Sequence, residues 1–146
     1  MTNSPLSKTA TGRDSSMFAV DLSEVEKTIR DAVQGARILA VGAAGSIGSN
    51  TVHTLVKYAP KALHVVDQNE NALAELVREL RSSPEGLNVE DFRTLPLDYG
   101  SAATKLLMEA DGPYDRILNF AAIKHVRSEK DPFSICLLYT SPSPRD

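Results

Sequence analysis

Apolar positions along most of the chain fall into alternating blocks, some with helical spacing and some short and continuous. Leu22, Val25, Ile29 and Val33 recur every three or four residues and form one stripe of a helix. Ser23 and Glu26 make a possible capping box at its start, and Gly35 is a natural stop. Arg37 to Val41 then reads as a short buried strand that runs into Gly42. Ile47, Val52, Leu55 and Val56 give a second helical face, closed by Pro60. Ala62 to Val66 reads as the next strand and ends at Asp67. Asn69 can cap a helix whose stripe is Leu73, Leu76, Val77 and Leu80. Ser82 to Gly86 is a loop, and Phe92 to Leu97 is a third strand, with Pro96 better suited to its end than its middle. Ser101 caps a helix carrying Leu106, Leu107 and Met108, Asp111-Gly112-Pro113 turns the chain, and Arg116 to Phe120 is a fourth strand.

Strands alternating with helices at this spacing mean βαβ units and a parallel sheet. The expected fold is therefore α/β, the N-terminal half of a doubly wound parallel-sheet (Rossmann) architecture with strand order 3-2-1-4. The length of 146 residues allows one domain, expected over residues 17–135. Residues 1–16 are polar and rich in Ser and Thr, which predicts a disordered tail. They lack the apolar stretch of a secretory signal, so the expected location is the cytoplasm. No apolar run approaches the roughly 20 residues of a bilayer span. A formal charge of −3 gives the chain no general attraction to nucleic acid or anionic lipid, so neither is expected as a partner. Cys136 is the single cysteine, which excludes an internal disulfide framework and a cysteine-rich zinc site. His53 and His64 have no carboxylates at ligand spacing and read as structural, so no metal is expected.

The candidate chemistry lies in Gly42-Ala43-Ala44-Gly45-Ser46-Ile47-Gly48, between a buried strand and an amphipathic helix. Gly42 would permit a tight turn, Gly45 would let a pyrophosphate approach the backbone, and Gly48 would let the helix pack close to the sheet. The first amides of that helix then favour an anion, helped by the helix dipole. Glycines alone could be a simple turn. Asp67, however, follows Gly48 by 19 residues and ends the second strand, where a carboxylate can accept both ribose hydroxyls of an adenosine. Asp67 is followed by Gln68 and Asn69 with no adjacent Arg, which favours NAD, with NADP possible.

The Gly-x-x-Gly-x-x-Gly spacing resembles the extended short-chain dehydrogenase/reductase superfamily. Within it, the stretch from about Phe18 to Ile135 resembles the nucleotide-sugar 4,6-dehydratases and epimerases of polysaccharide biosynthesis. The residues that carry the likeness are Val41 to Gly48, Val66-Asp67-Gln68-Asn69-Glu70-Asn71, Leu97-Asp98 and Asn119-Phe120-Ala121-Ala122-Ile123-Lys124-His125-Val126. The Ala-Ala-x-Lys-His-Val string is the most specific of them. The resemblance implies that Gly42, Gly45, Ser46, Ile47 and Gly48 hold the pyrophosphate and Asp67 the adenosine ribose. It sets Asp98 against the adenine with Tyr99 beside it, Ala121 and Ala122 along the nicotinamide ribose, and Lys124 at the cofactor or the sugar nucleotide. His125 could contact substrate, though a surface or packing role is the blander reading. Arg127 lies close enough in sequence to Lys124 to assist a diphosphate.

The implied reaction takes a hydride from C4 of a UDP-linked amino sugar, eliminates water across C5 and C6, and returns the hydride to C6; an epimerase returns it to the ring. The family's Ser/Thr and Tyr-x-x-x-Lys catalytic group has no counterpart in these residues, and Val41 stands where many members carry Thr. The chain is therefore expected to be a truncated, inactive part of an enzyme that is homo-oligomeric when intact. Two alternatives stay open: a non-catalytic dinucleotide-binding or redox-sensing module, and a short protein that binds a partner through an exposed sheet edge. Cys136 to Asp146 has no sustained period and resembles a translated transposase-type sequencing adapter, so residues 136–146 are expected to be a non-native tail.

Overall fold

Apart from Arg37, His64 and Asp67, the five residues from Arg37 to Val41 and the six from Ala62 to Asp67 are apolar, and both strands are buried along nearly their whole length. Strands buried on both faces belong at the centre of a parallel sheet. The computed structural model of the protein describes residues 5–13, 19–84 and 86–121. Its elements are α1 (Pro5–Thr11), α2 (Ala19–Val33), β1 (Arg37–Val41), α3 (Ser46–Val56), β2 (Ala62–Asp67), α4 (Glu70–Ser82), β3 (Asp91–Pro96), α5 (Ala102–Asp111) and β4 (Arg116–Asn119). All strand pairs are parallel and the order is β3-β2-β1-β4, as the alternation of elements predicts. Val41 sits opposite both Val66 and Asn119, and Asp67 opposite Pro96, so the carboxyl ends of the strands finish together.

One face of the sheet, with Ile38, Ala40, Leu63 and Val65, packs against Val33 of α2, Val52, Leu55 and Val56 of α3, and Leu73, Leu76 and Leu80 of α4. A fully buried Leu or Val of this kind contributes about 1.5–3 kcal/mol, so this layer fixes where α3 and α4 lie. The other face, with Leu39, Val41 and Val66 and their β3 neighbour Leu95, packs against Leu97, Leu107 and Tyr114. Here β4 is lightly covered, and Ile117 is 53% exposed.

Several local expectations differ from what the chain does. α2 begins at Ala19, four residues before the expected cap; the Ser23 hydroxyl donates to the Val20 carbonyl at 2.6 Å, so no capping box forms there. Asp21 in the first turn supplies the favourable charge instead. On α5, only Leu107 of the expected stripe packs on the core; Leu106 is 65% exposed, and the buried position is Thr104. A single turn's worth of apolar neighbours cannot by itself say which of them faces inward. β3 begins one residue earlier than expected, at Asp91, and Pro5–Thr11 within the polar N-terminus is helical. Pro5 opens that helix, where a missing amide hydrogen loses no bond.

His64 is fully buried on β2. Its Nε2 lies 3.1 Å from Asp91 Oδ2 and its Nδ1 2.7 Å from the Tyr114 hydroxyl. An ionised carboxylate only accepts, so Nε2–H donates to Asp91, while the Tyr114 hydroxyl, which can donate or accept, meets Nδ1. Arg93 bonds both Asp91 at 2.8 Å and Asp111 at 3.1 Å, and the Arg37 guanidinium lies over the Tyr114 ring. Burial works to raise the Asp91 carboxyl, but the bonds and charges of His64 and Arg93 hold it below its ordinary value. Burial, reinforced by the Asp111 charge, pushes the Tyr114 hydroxyl up. His53, on α3, bonds Glu79 of α4 at 3.2 Å. Both histidines thus join elements of the fold.

Candidate functional site

The carboxyl ends of all four strands converge on one cavity of about 410 Å³, within the size range of small-molecule sites. Gly42, Ala44 and Gly45 after β1, Val66 to Asn69 around the end of β2, Leu97 and Tyr99 after β3, and Phe120 and Ala121 after β4 line it. The cavity lies where the strand order reverses, with β4 on the opposite side of β1 from β2, the place where open α/β sheets take ligands.

The three glycines of the loop have three different reasons to be glycine. At Gly42 the backbone is left-handed (φ +66°), and an added Cβ would lie 2.5 Å from the Ala121 amide nitrogen, so the end of β4 presses on the turn. At Gly48 a Cβ would lie 2.4 Å from Ala43 Cα, so the first turn of α3 rests directly on the loop. Gly45 is unlike both. Its backbone is extended (φ −74°, ψ 171°), and the nearest atom to an added Cβ is the Gly42 carbonyl oxygen at 3.9 Å. The protein leaves room for a side chain at Gly45, on the wall of the cavity.

Gly45 is also the N-cap of α3, with no side-chain cap and no acidic residue in the first turn. α4 and α5 are capped, by Asn69 accepting the Ala72 amide at 3.1 Å and by Ser101 accepting the Thr104 amide at 3.3 Å. The positive end of α3 is therefore left to an outside acceptor.

Asp67 ties the two sides of the cavity together. Its Oδ2 accepts the Ala44 amide at 3.0 Å and its Oδ1 accepts the Asn69 amide at 2.9 Å. A carboxylate has about four lone-pair positions, so two remain for a further donor such as a ribose diol.

The structure brings Gly42, Gly45, Asp67, Tyr99 and Ala121 to this one cavity. Gly48 lies buried beneath the loop. Ser46 and Ile47 instead line a shallow hollow on the outer side of α3 with Asn50, Thr51 and Thr54, and Ile47 is 70% exposed. Asp98 is outside the lining; its Oδ1 accepts the Gly100 amide at 2.9 Å within its own turn. Ala122, Lys124, His125, Arg127 and Cys136 to Asp146 lie outside the described residues. Sequence reasoning passed over Ala44, Gln68, Leu97 and Phe120 as site residues. Leu97 and Phe120 each end a strand as read from the sequence, and ligands of open α/β sheets bind at strand carboxyl ends, so that signal was present. Among the described residues no group of three or more His, Cys, Asp or Glu could hold a metal ion, and no helix is long and apolar enough to cross a membrane.

Sheet order, glycine loop and terminal acid define a Rossmann-like α/β domain. The sequence profile of the polysaccharide biosynthesis protein family matches residues 38–136, and the chain belongs to that family. It is 38% identical over 97 residues to an uncharacterized membrane protein of Methanocaldococcus jannaschii, covering 66% of this chain and 26% of that one. Among solved structures it is similar to Pen from Bacillus thuringiensis (TM-score 0.57, 24% identity, 72% of this chain and 30% of the other). It is also similar to the MalC reductase/Diels-Alderase from Malbranchea aurantiaca (TM-score 0.54, 18% identity, 68% and 41%). At these identities the two structures attest the fold. The chain spans about a quarter to two-fifths of the length of these proteins. Fold and family together point to a nucleotide cofactor, and the residues present fit one: an open approach at Gly45, an uncapped helix end, and spare acceptor capacity on Asp67.

Proposed function

We propose that this chain is the NAD-binding part of a nucleotide-sugar 4,6-dehydratase or epimerase of polysaccharide biosynthesis, acting on a UDP-N-acetyl-hexosamine. The observation that carries the reading is Gly45, a glycine on the cavity wall that the protein's own packing does not require. A pyrophosphate lying against it would use the space a side chain would fill and the free end of α3. Asp67 would hold the adenosine ribose, and its charge would repel a 2′-phosphate, which favours NAD over NADP. When bound, the dinucleotide supplies reversible hydride transfer. Lys124 and His125 would serve the sugar nucleotide. The 146 residues contain no Tyr-x-x-x-Lys, so this chain is expected to bind without turning over.

Titration calorimetry with NAD and NADP on the wild type and Gly45→Ala tests this. Wild-type binding with a preference for NAD, lost in a variant whose melting temperature is unchanged, supports the reading. A Gly45→Ala variant that binds like the wild type overturns it, as does a wild type that binds neither nucleotide.

A further inference from the structure

Apart from His64, the buried polar side chain among the described residues is Thr104, 1% exposed on α5. Thr51 and Thr54 of α3 close their hydroxyls onto the carbonyl four residues back in their own helix, at 2.9 and 3.0 Å. Thr104 does otherwise. It stands three residues after the cap Ser101, where a capping-box side chain would reach the cap's amide. Its Oγ1 instead donates past the cap to the Asp98 carbonyl, at 2.6 Å.

That carbonyl sits between the two residues of this turn that line the cavity, Leu97 and Tyr99. It also accepts the Ser101 amide at 3.0 Å, so the turn's one shared acceptor is fixed from within α5. Asp98, Tyr99 and Gly100 are all exposed, and the turn's other bond is its own, from the Gly100 amide to the Asp98 carboxylate, so the link to α5 is what ties it to the body of the fold. We infer that Thr104 is a positioning residue for the wall that meets the adenosine half of a bound dinucleotide, setting adenine-nucleotide affinity through Tyr99 without touching the ligand. This rests on the dinucleotide reading above.

The test uses ADP-ribose as the probe and calorimetry as the readout. Thr104→Val keeps the buried shape and removes the donor; its dissociation constant is expected to rise about tenfold, while Thr104→Ser stays within about twofold of wild type, the scale of losing or keeping one well-made hydrogen bond. A purely structural role would lower stability yet leave the two sites independent. The double variant with Tyr99→Ala separates these, because Thr104→Val is expected to add nothing to the loss from Tyr99→Ala. Should the valine variant fail to fold, hydrogen exchange on the wild type decides: ADP-ribose is expected to slow the Gly100 and Ser101 amides at least tenfold. Equal affinity of Thr104→Val and wild type, additive losses in the double variant, or unslowed amides would each overturn the assignment while leaving dinucleotide binding intact. A wild type that does not bind ADP-ribose overturns both.

Discussion

The Asp67 carboxylate at the end of β2 accepts the backbone amide of Ala44 at 3.0 Å, fastening the loop after β1 to the acid after β2 before any ligand is considered. Its other oxygen takes the Asn69 amide. Asp67 therefore shapes the cavity as well as lining it. Asp67→Asn places an NH2 group against one of two backbone donors. It is expected to lower stability by about 1–2 kcal/mol, the scale of one unmet hydrogen bond, and to weaken NAD binding at least tenfold. Thermal melts alongside calorimetry check this, and unchanged stability would show that the tie is idle.

The glycines are expected to separate. Gly48→Ala forces Cβ into Ala43 backbone, and Gly42→Ala combines a left-handed residue with a clash on Ala121. Each should lower stability by about 3 kcal/mol or more, in the range of strained and overpacked sites. Gly45→Ala should not. Denaturant unfolding of all three variants measures the contrast.

Replacing His64 by Leu leaves the Tyr114 hydroxyl without its partner in a part-buried setting and takes one of two donors from Asp91 Oδ2, which keeps Arg93. The expected loss is about 1–3 kcal/mol, with little effect on nucleotide affinity, since the bonded groups stand away from the strand carboxyl ends. Urea melts and a binding titration on the same variant test both halves.

The same network predicts an acid limit. Asp91 is held below its ordinary value in the folded protein, so the folded state is the one that releases this proton more readily. The stability it contributes is complete above the unfolded carboxylate value, about 3.9, and is lost as pH falls through the folded value. Melting temperature measured from pH 7 to pH 2 should fall in the acid range, and Asp91→Asn should flatten that fall.

Ala59 carries a positive φ of 49° without being glycine, in the turn that leaves α3. Ala59→Gly relieves a conformation that costs an L-residue about 1–2 kcal/mol and should raise the melting temperature; a drop would show that chain entropy outweighs strain there.

Much of this was legible beforehand because the central strands are short, mostly apolar runs and the caps are chemically explicit. Arg37–Val41 matched residue for residue, and Asn69 and Ser101 cap the helices they were assigned. Gly42, Gly45, Asp67, Tyr99 and Ala121, each singled out by the sequence, lie around one cavity. What escaped was decided by tertiary contact. Nothing in Leu106-Leu107-Met108 says which side chain turns inward, and nothing near Ser23 says that the helix has already begun. That Asp98 turns its carboxylate to Gly100, and that Thr104 holds its carbonyl, depends on how β3 meets α5 rather than on either segment alone.

The sheet order also dictates when a binding site can come into being. β1, β2 and β3 lie side by side in chain order, but β4 must return to the far side of β1, and the Arg37 amide meets the Asp115 carboxylate across 78 residues. That is the longest loop closure in the sheet, and entropy opposes it before its contacts reward it. Phe120 and Ala121 close one wall of the cavity. A nucleotide bound there would select only molecules in which this return is complete, so its binding would report the finishing of the fold and draw the folding equilibrium toward it.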